Sequence, residues 1–184
     1  DAAARVAAAA AKPRLVGLRP MIQAEPDPDW MLGDSLTPAF KAVVATGLVF
    51  DALVRPLHLP NLCALLDRHP GLRVVFLESG CGWLPHWLER MDDHAESWGW
   101  AMPKLPLKPS EYFARQCVIS CDPGEKTIES VVSLCGEQSV VFATDYPHPD
   151  AVAGDLVARI TERKGLSEPA KQKILVENAR RAFG

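Results

Sequence analysis

Five short apolar runs recur along the chain, each leading into helical sequence or a long loop: Leu15–Leu18, Leu48–Val54, Leu72–Leu77, Gln116–Ser120 and Val140–Ala143. Near-continuous apolar runs of this length suit strands buried on both faces, as in parallel sheets. Helical patterns cover residues 35–46, 59–69, 84–97 and 125–135 between the runs. Others cover 2–11 before the first and 151–164 and 168–182 after the last. Gly47 is a stop signal for the 35–46 segment. Ser167-Glu168-Pro169 opens the last segment with an N-cap residue and a proline in the first turn. A Pro-rich stretch, 102–109, breaks the middle of the chain. Repeated βα units imply a parallel sheet with right-handed crossovers, an α/β fold. No run is followed by G-x-G-x-x-G or a P-loop pattern, which makes a nucleotide-binding Rossmann domain the weaker choice.

Composition narrows the function. The 184 residues suffice for one domain with its own core. A net charge of −3, with no Lys/Arg cluster, argues against a nucleic-acid partner. No apolar run approaches a membrane span. Five scattered cysteines without C-x-x-C spacing suggest reduced thiols in a cytoplasmic protein. Residues 2–11, rich in alanine, read as a helix already under way, so the chain looks cut from something longer.

In α/β folds, active sites gather at the C-terminal ends of the strands. The residues there are Arg19, Arg55 with His58 one turn on, Glu78, Cys121-Asp122, and Asp145 with His148. Arginines aimed into a pocket suit a carboxylate-bearing substrate through bidentate pairing. An acid among them serves as a general base or a metal ligand. Each has a plainer reading. Arg19 and Arg55 precede prolines as loop residues would, His58 could only begin the 59–69 helix, and Glu78 could tie down its own turn. Asp122-Pro123 is foremost a helix start, and Trp83, Trp87, Trp98 and Trp100 suit packing of the 84–97 helix. A catalytic zinc site takes three protein ligands. Without H-x-H or H-E-x-x-H, the chain offers Asp145 with His58 or Glu78, too few for a complete set.

Several segments resemble the amidohydrolase-related superfamily. They are Glu78-Ser79-Gly80-Cys81-Gly82-Trp83-Leu84-Pro85, Ser110-Glu111-Tyr112-Phe113, the stretch Thr144-Asp145-Tyr146-Pro147-His148-Pro149-Asp150, and residues 173–181. Residues 70–184 are similar to the amidohydrolase 2 group, with its metal-dependent decarboxylases. Residues 1–70 are similar to the fuconolactonase and pyrone-dicarboxylate lactonase branch, through Val16–Arg19, the Glu25–Trp30 loop and Phe50–Pro56. The resemblance implies a (β/α)8 barrel in which the five strands are the fourth to eighth. The first three are missing, with the H-x-H that metal-using members carry, so residues 1–184 would be one C-terminal portion of a barrel.

By the same resemblance, Asp145 is the last-strand acid that binds metal or activates water. Arg19 and Arg55 lie where lactonase relatives hold substrate carboxylates, with Glu78 beside them. His58 or His148 would polarise or position the substrate, and His58 is the only nearby second metal ligand. One divalent metal, foremost zinc, is expected in the full-length parent. The expected reaction is opening of a lactone or similar carboxylate-bearing ring. A metal-dependent carboxy-lyase and an inactive barrel fragment are the alternatives. A small-molecule carboxylate is the expected partner. Open sheet edges and a bare apolar inner face would favour a homo-oligomer.

Overall fold

A computed structural model describes residues 1–100, 104–148, 151 and 153–184. Five strands form one parallel sheet: β1 (Gly17–Leu18), β2 (Val49–Asp51), β3 (Val74–Phe76), β4 (Cys117–Cys121) and β5 (Val140–Phe142). Their order in space is their order in sequence. Nothing reverses, so right-handed crossovers carry every connecting helix to the same face. This is the winding of a (β/α) barrel rather than of a doubly wound sheet. The five-stranded sheet is a partial barrel.

The helices are α1 (Ala2–Ala10), α2 (Thr37–Thr46), α3 (Leu59–Arg68), α4 (Leu84–Ser97), α5 (Pro109–Gln116), α6 (Ile128–Cys135) and α7 (Ala158–Thr161). A last helical stretch holds α8 (Glu168–Gln172), a π-type turn (Lys173–Glu177) and α9 (Asn178–Phe183). Gly47 ends α2 in the left-handed conformation (φ 70°), a geometry glycine adopts without a Cβ penalty. Among the described residues no helix is long and apolar enough to cross a membrane.

Side chains alternate across each strand, so one face packs on the helices and the other lines the inside of the curl. Phe50, Val74, Phe76, Cys117, Ile119 and Val140 join the large core under the helices. Val49, Val75, Val118 and Val141 form a second layer on the inner face. These four valines are at most 3% exposed. The expected bare inner face is therefore absent: the valines cover one another, and Ala182 and Phe183 at the end of α9 pack against them. Asn178 fixes that helix by donating from its buried amide to the carbonyls of Glu137 and Val140, both at 2.7 Å.

Three elements depart from the sequence reading. The helix expected over 151–164 is confined to Ala158–Thr161 among the described residues. Gly154 takes a positive φ of 108°, and Asp155 accepts the Ala158 N–H, which starts the helix late. A helix stands at Pro109–Gln116, between the Pro-rich break expected over 102–109 and the strand expected from 116, where no element was expected. Its start carries Pro109 in the first turn, and Glu111 accepts the Lys108 N–H. Of the four tryptophans expected to pack the 84–97 helix, Trp83 and Trp87 pack inward, while Trp98 and Trp100 lie on the surface, 55% and 80% exposed. Met102, Pro103, Pro149 and Asp150 lie outside the described residues.

Asn178→Ala should leave the carbonyls of Glu137 and Val140 without this donor. Each lost buried partner costs about 1–3 kcal/mol. The urea midpoint of the variant, followed by circular dichroism, is expected to fall clearly below that of the parent.

Candidate active site

The C-terminal ends of the strands carry an ordered polar network. Arg19 stands just past β1, Asp51 ends β2, and Glu78 lies two residues past β3. The Arg19 Nε donates to Asp51 Oδ2 at 2.6 Å, and one terminal nitrogen donates to Glu78 Oε1 at 2.7 Å. One guanidinium thus ties three successive strand ends together. Burial works against the Arg19 charge, but the hydrogen bonds to Glu78 and Asp51 outweigh it and hold its pKa above the ordinary value. Burial raises the Asp51 pKa, and Arg19 only partly offsets this, while the Glu78 charge adds to it.

A second tie is the Glu125 carboxylate. It accepts the backbone N–H groups of Cys81 (2.9 Å), Gly82 (3.2 Å) and Asp122 (2.9 Å). The Cys81 thiol also points at it, 3.3 Å away. This one side chain joins the loop after β3 to the loop after β4. Burial, then the Glu125 charge, raises the Cys81 pKa; burial and Glu125 push Cys121 up to about 12. Both thiols are held protonated and fully buried. From beyond the loop, Arg163 donates to the carbonyls of Pro123 and Glu125 and pairs with Glu129 at 2.7 Å.

Glu78, Ser120, Asp122, Glu125, Asp145 and His148 line one cleft of about 730 Å³. His148 Nδ1 lies 3.3 Å from Asp145 Oδ1, and the Asp145 side chain is 31% exposed. Glu78 and Asp145 share an uncommon backbone state, with φ of 58° and 55°. A left-handed non-glycine residue costs about 1–2 kcal/mol, and such strain clusters at functional sites. Arg55 lines a neighbouring pocket of about 440 Å³ with Glu78, Phe76, Trp83 and Trp87. The two cavities share Leu77, Glu78 and Ser79.

The structure brings together Asp145, His148 and Glu78 in the cleft, Arg19 with Glu78, and Arg55 with Glu78 in the adjoining pocket. His58 stands apart. It is fully buried and lines neither cavity. Its Nδ1 accepts the Arg55 N–H at 3.0 Å while its own N–H donates to the Arg55 carbonyl. A histidine accepting at Nδ1 carries its proton on Nε2, which leaves no lone pair there for a metal. The reciprocal bonds make His58 the brace of the turn that opens α3. Among the described residues no group of three or more His, Cys, Asp or Glu could hold a metal ion. The donor set described does not by itself fit a divalent cation.

Asp51 and Glu125 were not among the candidate residues read from the sequence. Asp51 gives one signal, a lone charge inside an apolar run. Glu125 closes the Asp122-Pro123-Gly124-Glu125 turn, which marks a turn but not its long-range partners.

The amidohydrolase family model matches residues 1–184. The chain belongs to the amidohydrolase family. An L-fucono-1,5-lactonase of Burkholderia ambifaria is 32% identical over 158 residues, 80% of this chain and 51% of that protein. A gamma-resorcylate decarboxylase of Rhodococcus jostii is 31% identical over 124 residues, 65% of this chain and 36% of that protein. The chain thus spans about half or less of the curated amidohydrolase relatives it matches. Among solved structures, a 5-carboxyvanillate decarboxylase from Sphingomonas paucimobilis shares 26% identity at a TM-score of 0.76, covering 98% of this chain and 62% of that one. A 5-carboxyvanillate decarboxylase from Novosphingobium aromaticivorans, complexed with manganese, shares the fold at a TM-score of 0.81 and 19% identity, over 99% of this chain and 60% of that one. The amidohydrolase relatives are enzymes, and both a lactonase and decarboxylases stand among them.

Glu125→Gln should replace one acceptor oxygen by an NH2 that faces backbone N–H donors. Hydrogen bonds to a charged group contribute about 1.5–3 kcal/mol. Thermal unfolding is expected to show a clear loss, with faster amide exchange at Cys81, Gly82 and Asp122.

Proposed function

We propose that these residues serve the opening of a carboxylate-bearing lactone, with Asp145 as the base that activates water. The supporting observation is the Asp145–His148 pair at the end of β5, partly open to a cleft that Glu78 also lines. The lactonase relative, matched over most of the chain, favours a lactone as substrate.

In this reading the Asp145 carboxylate takes a proton from water, and the hydroxide attacks the lactone carbonyl carbon. The tetrahedral intermediate collapses with cleavage of the ring C–O bond. Asp145 returns its proton to the leaving alkoxide, which gives the hydroxy acid. His148 holds the Asp145 carboxylate in place. Arg55 anchors the substrate carboxylate, because among the described residues it has no carboxylate partner of its own. Arg19 already serves Asp51 and Glu78, so it acts by orienting Glu78. Because the described donors make no metal centre, no step is assigned to zinc or another cation.

One observation favours the carboxy-lyase instead. Phe76, Trp83 and Trp87 wall the Arg55 pocket, a surface suited to the flat face of an aromatic acid. In the decarboxylase relatives the substrate is such an acid by name.

Asp145→Asn is expected to cut kcat about 10²–10⁴-fold with little change in KM. Turnover near that of the parent would end the assignment. Arg55→Gln should instead act on binding, and loss of a charge-assisted pair weakens it about 10–100-fold. Steady-state kinetics on both variants separates the two roles.

A further inference from the structure

At the opposite end of the sheet, three arginines converge on one cavity. It measures about 160 Å³ and lies where the chain enters β3 and β4, lined by Leu72, Arg73, Arg115, Gln116, Arg181 and Ala182 among others. That is room for about five waters at bulk density, or for one small oxyanion. No acidic residue lines it, and among the described residues none of the three arginines pairs with a carboxylate.

Their visible partners are neutral. Arg73 donates to the carbonyls of Gly47 and Arg181. Arg115 donates to Gln116 Oε1 (2.7 Å) and to the Leu66 carbonyl (3.2 Å), and lies 5.0 Å over the Tyr112 ring. Arg181 donates to the Gln138 carbonyl at 2.6 Å. Gly47 follows α2 and Leu66 lies in the last turn of α3, so part of this is the ordinary preference of arginine for helix C-termini. That preference accounts for single bonds. It does not account for three arginines lining one cavity that no acid lines. Each guanidinium has five N–H donors, and these bonds use two from Arg73, two from Arg115 and one from Arg181. The basic field extends further: His69, whose carbonyl takes the Gln116 amide, has its pKa lowered by burial and then by the charges of Lys41 and Arg68. The mouth at the other end is crowded with acids instead.

We propose that Arg73, Arg115 and Arg181 form a binding site for a small phosphate-type oxyanion at the N-terminal end of the sheet. Planar forks of this kind bind tetrahedral oxyanions through paired N–H donors. The site is separate from the mouth and does not depend on the reaction assigned there.

The test is calorimetric titration of the purified protein with inorganic phosphate and, in parallel, methyl phosphate, at fixed ionic strength with chloride as control. Saturable binding of either is expected, with the tighter one showing whether the free anion or a phosphate ester is preferred. Arg181→Gln should weaken it about tenfold or more, as loss of a charge-assisted hydrogen bond requires. Arg115→Lys keeps the charge but loses the fork, and is expected to bind less tightly than the parent. Absence of saturable binding above the chloride control would overturn the site, as would unchanged affinity in a folded Arg181→Gln or Arg115→Lys protein.

Discussion

The loops that form the mouth hang on one carboxylate. Glu125 gathers N–H groups from the turn after β3 and the turn after β4. These donors stand where short loops meet helix starts, and without an acceptor they would be left unpaired. Their bond to a carboxylate is charge-assisted and stronger than a neutral one. With that tie in place, Glu78 and Asp122 face the same cleft as Asp145. Arg163 anchors the Glu125 turn from the far side. The cleft thus comes preassembled from strand ends and braced turns.

Charge decides the division of labour within it. Arg19 is shared between two acids, so its charge is more than neutralised where it stands. That makes it a poor receptor for a third carboxylate and a good brace for Glu78. Arg55 lies against an apolar and aromatic wall and, among the described residues, has no carboxylate partner, which suits the receptor role proposed for it. The acidic mouth and the basic opposite end divide the fields of a chain whose net charge is only −3.

Much of this was legible in the sequence because buried parallel strands leave a local trace. All five runs became strands, four of them shorter than their apolar stretches: Leu48–Val54 yields only Val49–Asp51. Apolar residues flanking a strand are buried by tertiary packing, which a hydropathy pattern cannot separate from pairing. Strand-end placement foretold the meeting of Glu78, Asp145 and His148. His58 misled because closeness to a strand end says nothing of the direction of its ring, which the turn before α3 claims. Glu125, Asp51 and the three arginines depend on contacts between residues far apart in the chain. Arg73 and Arg181, for example, meet across 108 positions. No spacing rule reaches that far. The covered inner face was hidden for the same reason, since Phe183 and the valines it packs against lie far apart in the chain.

The measurement that bears most directly on the central claim is lactone opening followed by pH-stat in protein treated with a strong chelator. If Asp145 activates water without an ion held by these residues, acid release continues at the untreated rate. Loss of lactone opening on chelation, with carbon dioxide released from an aromatic acid once manganese is restored, would contradict the account.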